Sequence, residues 1–216
     1  MTMTARHVQL LRAVLAAIGA VMITFSPDHS AEVGLAVFGG FAVATAAVLG
    51  LAVWLVQPQG QRGRFVLLAT VYLVAGVVSG LPQLRSTTML FAVLIAWGLL
   101  AGLVELVIGL VDRRARRETA RDTIVVGVLG LVLALAVLLV PAGYRLDYFI
   151  EEAGRSFTLT GTIIAVGLLG GYAAIVAVWL GIAGLSPRAE SGPEAAPVDA
   201  RESTSTSSAP TPKDPQ

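Results

Sequence analysis

The chain has 216 residues, no cysteine and two histidines; 56% of its residues are hydrophobic, only 13% are charged, and the formal net charge is +1. Soluble domains carry about 25% charged residues, so half the usual charge is missing, and nothing in the balance points to nucleic acid or acidic substrates. The absence of cysteine excludes disulfides, thiol catalysis and thiolate metal sites together.

The first apolar run spans residues 8–25 and follows Arg6, the outline of a signal peptide. The residues after it, SPDHSAEVG, hold no small-x-small cleavage site at a sensible distance, so an uncleaved helix is expected. His7 and His29 lie on opposite sides of this run and form no ligand cluster by themselves. Further apolar runs follow at 33–56, 64–81, 88–111, 123–140 and 158–185. A helix of about 18 residues or more crosses the ~30 Å hydrocarbon layer. A soluble core could hide one such helix, but not six. Hydrocarbon offers backbone groups no outside partner, and the ~10-residue alternation of a membrane barrel is missing. The fold class read from the chain is therefore all-α: a polytopic membrane protein with six transmembrane helices.

Two marks suggest an internal repeat. Pro27, Pro82 and Pro141 each close an odd-numbered span, 55 and 59 residues apart, and the even-numbered spans carry glycines eleven apart: Gly39 and Gly50, Gly98 and Gly109, Gly170 and Gly181. Ala13 and Gly127 lie fourteen residues before Pro27 and Pro141. The domain at 1–185 thus reads as three helical hairpins, about 8–56, 64–111 and 123–185. The segment 186–216 is rich in Pro, Ser, Thr, Ala and Glu with no apolar run, the composition of a disordered tail.

Arginine counting orients the spans. Arg6, Arg12, Arg62, Arg64, Arg113, Arg114, Arg116, Arg117, Arg121, Arg188, Arg201 and Lys213 fall on one side; Arg85, Arg145 and Arg155 fall on the other. Both termini are expected in the cytoplasm, with the cluster Arg113, Arg114, Arg116 and Arg117 acting as a topology anchor that meets anionic lipid headgroups. The longest segment on the opposite side, PAGYRLDYFIEEAGRSF at 141–157, mixes aromatic and charged residues. It suits a short helix lying in the membrane interface.

Small residues four apart let helices approach closely in lipid, and three such pairs are Gly76 with Gly80, Gly98 with Gly102, and Gly167 with Gly171. Only Arg12 and Glu105 lie clearly inside predicted spans. An unpaired mid-membrane charge costs at least ~2.5–3.5 kcal/mol. Glu105 lies about two turns, ~10 Å, from the arginine-rich end of its span, and Arg12 roughly one turn inside the same end. Similar depth and opposite sign suggest an intramembrane ion pair; separate snorkelling toward the headgroups is the alternative. Ala46 and Ala177 occupy the register of Glu105, and Val126 that of Arg12.

These residues carry a resemblance. LRAVLAAIGAVMITFSP at 11–27 and WGLLAGLVELVIGLVDRR at 97–114 resemble the hairpin pattern of the HdeD-like acid-resistance membrane proteins, through Arg12, Gly19 and Pro27, and through Trp97, Gly102, Glu105 and Arg113. The likeness covers about 180 residues; the 141–157 insertion and the long tail depart from it. It implies a bacterial inner-membrane protein linked to acid or stress tolerance. Beside this stand a small transporter or channel with a site near Glu105, and an enzyme acting on lipid. Against an enzyme, the sequence shows no Gly-rich phosphate loop, no metal-ligand spacing and no G-x-S-x-G elbow. It offers no catalytic, cofactor-binding or metal-binding residue, and association into a homo-oligomer is left open.

Overall fold

The computed structural model describes residues 3–57, 59–117, 119–151 and 154–186. The expected tail falls outside these residues from 187 onward, taking Arg188, Arg201 and Lys213 with it. Six α-helices account for the unit Met1–Leu185: α1 Ala5–Phe25, α2 Ala31–Leu55, α3 Arg62–Gly80, α4 Thr87–Arg114, α5 Ala120–Leu139 and α6 Gly161–Leu185. All six are long and apolar enough to cross a membrane. At 1.5 Å per residue, their 19 to 28 residues span roughly 28–42 Å. Their outward faces are apolar too: Val14, Ile18 and Met22 on α1, Leu100 and Leu103 on α4, and Leu135 and Leu138 on α5 are all exposed. Water would not tolerate so continuous an apolar surface, whereas hydrocarbon does. The chain is an integral, multi-pass membrane protein.

Helix ends are built from local chemistry that recurs. Pro27, Pro82 and Pro141 each stand two residues beyond the last residue of α1, α3 and α5. The residue before a proline is pushed into extended backbone; Ser26, Leu81 and Val140 adopt it, with ψ of 131°, 111° and 117°. Each also donates its N–H to the carbonyl three residues back, on Ile23, Val78 and Val137. The following helices start with hydroxyl caps: Ser30 accepts from Val33 N–H, Ser86 from Met89 N–H and Thr160 from Ile163 N–H. Each such bond satisfies one of the orphan donors at a helix start.

The helices close into a ring in chain order, α6 returning to α1. The long even-numbered helices (25, 28 and 25 residues) also meet one another across the axis, while the shorter odd-numbered ones fill in outside. Extensive seams alternate with sparse ones. The extensive seams are α2–α3, α4–α5 and α6–α1, so the helices inside each sequence hairpin share the sparse seams. Glycine explains the alternation, because backbones approach most closely where no side chain stands between them. A Cβ placed at Gly76 would lie 2.8 Å from the backbone nitrogen of Val43, and one at Gly39 3.2 Å from the Gly76 carbonyl. Gly98 and Gly102 are similarly 2.9 Å from the carbonyl oxygens of Gly130 and Gly127. Gly170 meets Ile23 at 2.8 Å, and Gly184 meets Leu10 at 2.6 Å. Every one of these contacts lies on an extensive seam.

Two expectations are corrected here. Gly167 and Gly171 do not pack: nothing lies within 4 Å of a Cβ at either, and the same holds for Gly80. In α6 the face toward α1 carries Gly170 and Gly184, fourteen residues or about four turns apart, and Gly171 is rotated ~100° away from it. Secondly, the segment expected as an interfacial helix is a β-hairpin, with β1 Arg145–Ile150 antiparallel to β2 Arg155–Thr160. Its pattern has a period of two. Leu146 opposes Leu159 and Tyr148 stacks on Phe157 at 6.0 Å, while Asp147 opposes Thr158 and Phe149 opposes Ser156. Alternate side chains of a strand share a face, and cross-strand pairs stabilise it. Gly154 takes the left-handed φ of 60° that the turn requires. The second strand also moves the start of the last helix from 158 to 161.

Two outcomes test this packing. Gly127→Val would force a Cβ to within 2.6 Å of the Leu106 nitrogen, and we expect it to cost about 1–3 kcal/mol through overpacking. Gly167→Ala should be neutral or stabilising by up to about 1 kcal/mol. Thermal unfolding in detergent distinguishes them, and equal losses would remove the glycine seams as the packing device. On the hairpin, the Thr158 hydroxyl and then Arg145 hold the Asp147 carboxylate below its ordinary range. Because the folded-state value is depressed, its contribution is complete above the ordinary value of about 3.9 and disappears as pH falls through the lowered one. Amide exchange across β1 and β2 should therefore accelerate only below about pH 4. In Thr158→Val the Asp147 titration followed by NMR should move upward; no movement would sink the assignment.

Candidate functional site

Four helices send side chains to one point on the axis. Arg12 comes from α1 and Glu105 from α4; the guanidinium Nη2 donates to the Glu105 carboxylate, which is 1% exposed, while the arginine side chain is 12% exposed. The Tyr72 hydroxyl from α3 is hydrogen-bonded to both Arg12 and Tyr172 of α6. Two charges and two phenols thus satisfy one another where water is scarce, as buried polar groups must.

Above the pair, away from the arginine-rich end, Trp97 of α4 plugs the axis. Its ring meets Tyr72 at 5.4 Å, Tyr172 at 5.5 Å, Phe38 at 4.9 Å and Phe41 at 6.4 Å, at interplanar angles between 70° and 89°. These are edge-to-face contacts, the geometry aromatic quadrupoles prefer. Trp97 Nε1 is buried among them with no hydrogen-bond partner. Phe38, Tyr72 and Trp97 are each at most 2% exposed.

Below the pair a cavity of about 50 Å³ opens toward the arginine-rich end, lined by Gln9, Arg12, Gln57, Thr119, Asp122 and Thr123 with apolar Phe65 and Leu180 among its walls. A water needs at least ~10–15 Å³, so a few waters fit, in contact with the Arg12 guanidinium. Gln9 Nε2 donates to Asp122 at 2.7 Å, tying α1 to α5 across this mouth. Chemically the arrangement is a single carboxylate–guanidinium pair, with a small cavity against the guanidinium on one side and aromatic rings on the other. Among the described residues no group of three His, Asp or Glu comes together as a metal site.

The structure brings Arg12 and Glu105 together, and it places Gly98 and Gly102 on the seam that sets α4 against α5 beside them. Arg113, Arg116 and Arg117 gather elsewhere, with Arg121, along a groove at the arginine-rich end. Sequence reasoning missed Tyr72, Tyr172, Gln9 and Asp122, and held Trp97 only as a mark of the resemblance, not as a member of the site. A signal was present for some of them: an aromatic residue stands within two positions of Gly39, Gly98 and Gly170, as Phe38 and Phe41, Trp97, and Tyr172.

Removing one member of a buried pair strands the other and typically costs 3–5 kcal/mol. We expect Glu105→Gln and Arg12→Gln each to lose stability on that scale. The double variant should lose much less than their sum, and Tyr72→Phe about 1 kcal/mol. A double-mutant cycle on unfolding in detergent measures this; strictly additive losses would show that the two side chains do not couple. Comparison of the chain with protein families, with curated proteins and with solved structures gave no match.

Proposed function

We propose that this membrane protein is non-enzymatic and serves acid or stress tolerance in the bacterial inner membrane, as its HdeD-like resemblance implies, with both termini in the cytoplasm. The observation that carries the reading is the one-sided setting of the Arg12–Glu105 pair, with a cavity on the arginine's side and aromatic rings on the other. Among the described residues Glu105 is the carboxylate paired at the bundle centre; its partner Arg12 lines the small cavity at the arginine-rich end, and the Trp97 cluster lies on the far side of the pair. Protonation of Glu105 from that side removes the negative partner of Arg12 and loosens the tie between α1 and α4. Acidification of one compartment is thereby converted into a change in helix packing.

The alternative, a small transporter with its site at Glu105, draws support from the same cavity. Against it, all six helices run unbroken, whereas transporters commonly interrupt helices at a mid-membrane site, and the aromatic cluster fills the path beyond the pair.

A deletion strain challenged with acid tests the proposal through survival and cytoplasmic pH. Poor survival that wild type rescues and Glu105→Gln does not is the expected outcome, with a fusion at the C-terminus reporting a cytoplasmic location. Normal survival and pH in the deletion strain would remove the tolerance role. Proton or anion flux in proteoliposomes, abolished by Glu105→Gln, would replace it with transport.

A further inference from the structure

The end of α4 has an unusual cap. Arg117 donates its N–H to the Asp112 carbonyl at 3.0 Å and Arg116 donates to Arg113 at 3.1 Å. This bond pair defines a Schellman C-cap, whose central residue takes a left-handed backbone and is usually glycine. Here that residue is Arg116, at φ 53°. Glycine is plentiful in this chain, with 23 copies, yet the position that favours it most carries an arginine. A backbone outlier of this kind calls for a functional reason.

The surroundings supply one. Arg113, Arg116, Arg117 and Arg121 line a groove of about 520 Å³ between the end of α4 and the first turns of α5, over a floor of Ile124 and Val125. The groove is held in shape. Gly109 lets α5 close in beneath it, a Cβ there lying 2.6 Å from the Ile124 side chain. The Arg121 guanidinium is seated 5.6 Å over the ring of Trp179 on α6, and Arg117 lies 3.7 Å from the buried Asp112. Among the described residues no carboxylate pairs with Arg113, Arg116 or Arg121. Val128, one turn beyond Ile124 on α5, is exposed, so an acyl chain leaving the groove can lie along apolar helix surface.

We infer that this groove is a binding site for one anionic phospholipid, its phosphate held by Arg113, Arg116 and Arg121 and its acyl chain running over Ile124 and Val125. A guanidinium fork matches phosphate oxygens in geometry as well as charge. The apolar floor selects a lipid over a soluble phosphate. A shaped site differs from a diffuse basic patch in one testable respect: Arg114 belongs to the same cluster but does not line the groove.

The full chain in phosphatidylcholine nanodiscs doped with phosphatidylglycerol provides the test, with retained lipid quantified by mass spectrometry. Wild type should retain phosphatidylglycerol over phosphatidylcholine. Arg116→Gly and Arg121→Gln should each weaken that retention about tenfold or more, the loss of a charge-assisted hydrogen bond to phosphate, while Arg114→Gln weakens it by no more than the about fivefold that any arginine near a membrane surface contributes. Arg116→Gly relieves the left-handed backbone, so its melting temperature in lipid-free detergent should equal or exceed that of wild type, which separates lost binding from lost fold. Equal losses in Arg114→Gln and Arg116→Gly would reduce the groove to a diffuse field and overturn the site. Unchanged retention in Arg116→Gly would do so as well, and displacement of the lipid by inorganic phosphate would assign the groove to a soluble anion instead.

Discussion

Between two apolar helices in lipid the hydrophobic effect supplies almost no attraction, since acyl chains solvate leucine as well as another helix does. What remains is the closeness with which backbones can meet. In this bundle that closeness is greatest along three seams, where Gly39 and Gly76, Gly98 and Gly102, and Gly170 and Gly184 remove side chains that would hold neighbours apart, and Gly34 does the same against Val166 across the axis. The inner position of the even-numbered helices follows, as they carry the first glycine of each pair toward the next odd helix. The central polar cluster follows in turn. Arg12 reaches Glu105 because α1 is drawn against α6, and Tyr72 reaches both Arg12 and Tyr172 because α3 is drawn against α2.

Six apolar runs, their order and their proline stops are legible in the sequence because each is a local property: length, hydropathy and a missing N–H. Arg12 and Glu105 stand out for a related reason, as charges inside spans at matching depth, and the structure sets them side by side. Helix rotation is not legible in this way. Gly167 and Gly171 look like a packing pair, yet the neighbour sits on the face of Gly170 and Gly184, and only the global arrangement decides between two glycine-bearing faces of one helix. Tyr72 and Tyr172 were hidden for a similar reason. An aromatic residue in an apolar run carries no mark of facing inward rather than toward lipid.

The hairpin at Arg145–Thr160 shows a different failure. Aromatic and charged residues in YRLDYFIEE fit a one-sided helix when that stretch is read alone. Half of the partner strand, Thr158–Thr160, lies in what reads as the start of the final span, so the cross-strand pairing of Asp147 with Thr158 and of Leu146 with Leu159 crosses an apparent boundary. Strand pairing is a relation between two segments, and neither announces it alone.

Ring closure has a consequence for biogenesis. The seam between α6 and α1 joins two helices separated by the four between them in the chain, through Leu10 with Gly184, Ile23 with Gly170, and the Arg6 side chain donating to the Gly184 and Leu185 carbonyls. During synthesis α1 must wait in the bilayer until five further helices have entered, and Arg12 waits with it, one wall of its pocket missing. Glu105 emerges well before Tyr172, so the two charges can meet early and act as a temporary clasp. The tyrosine from α6 then seals them as that helix inserts.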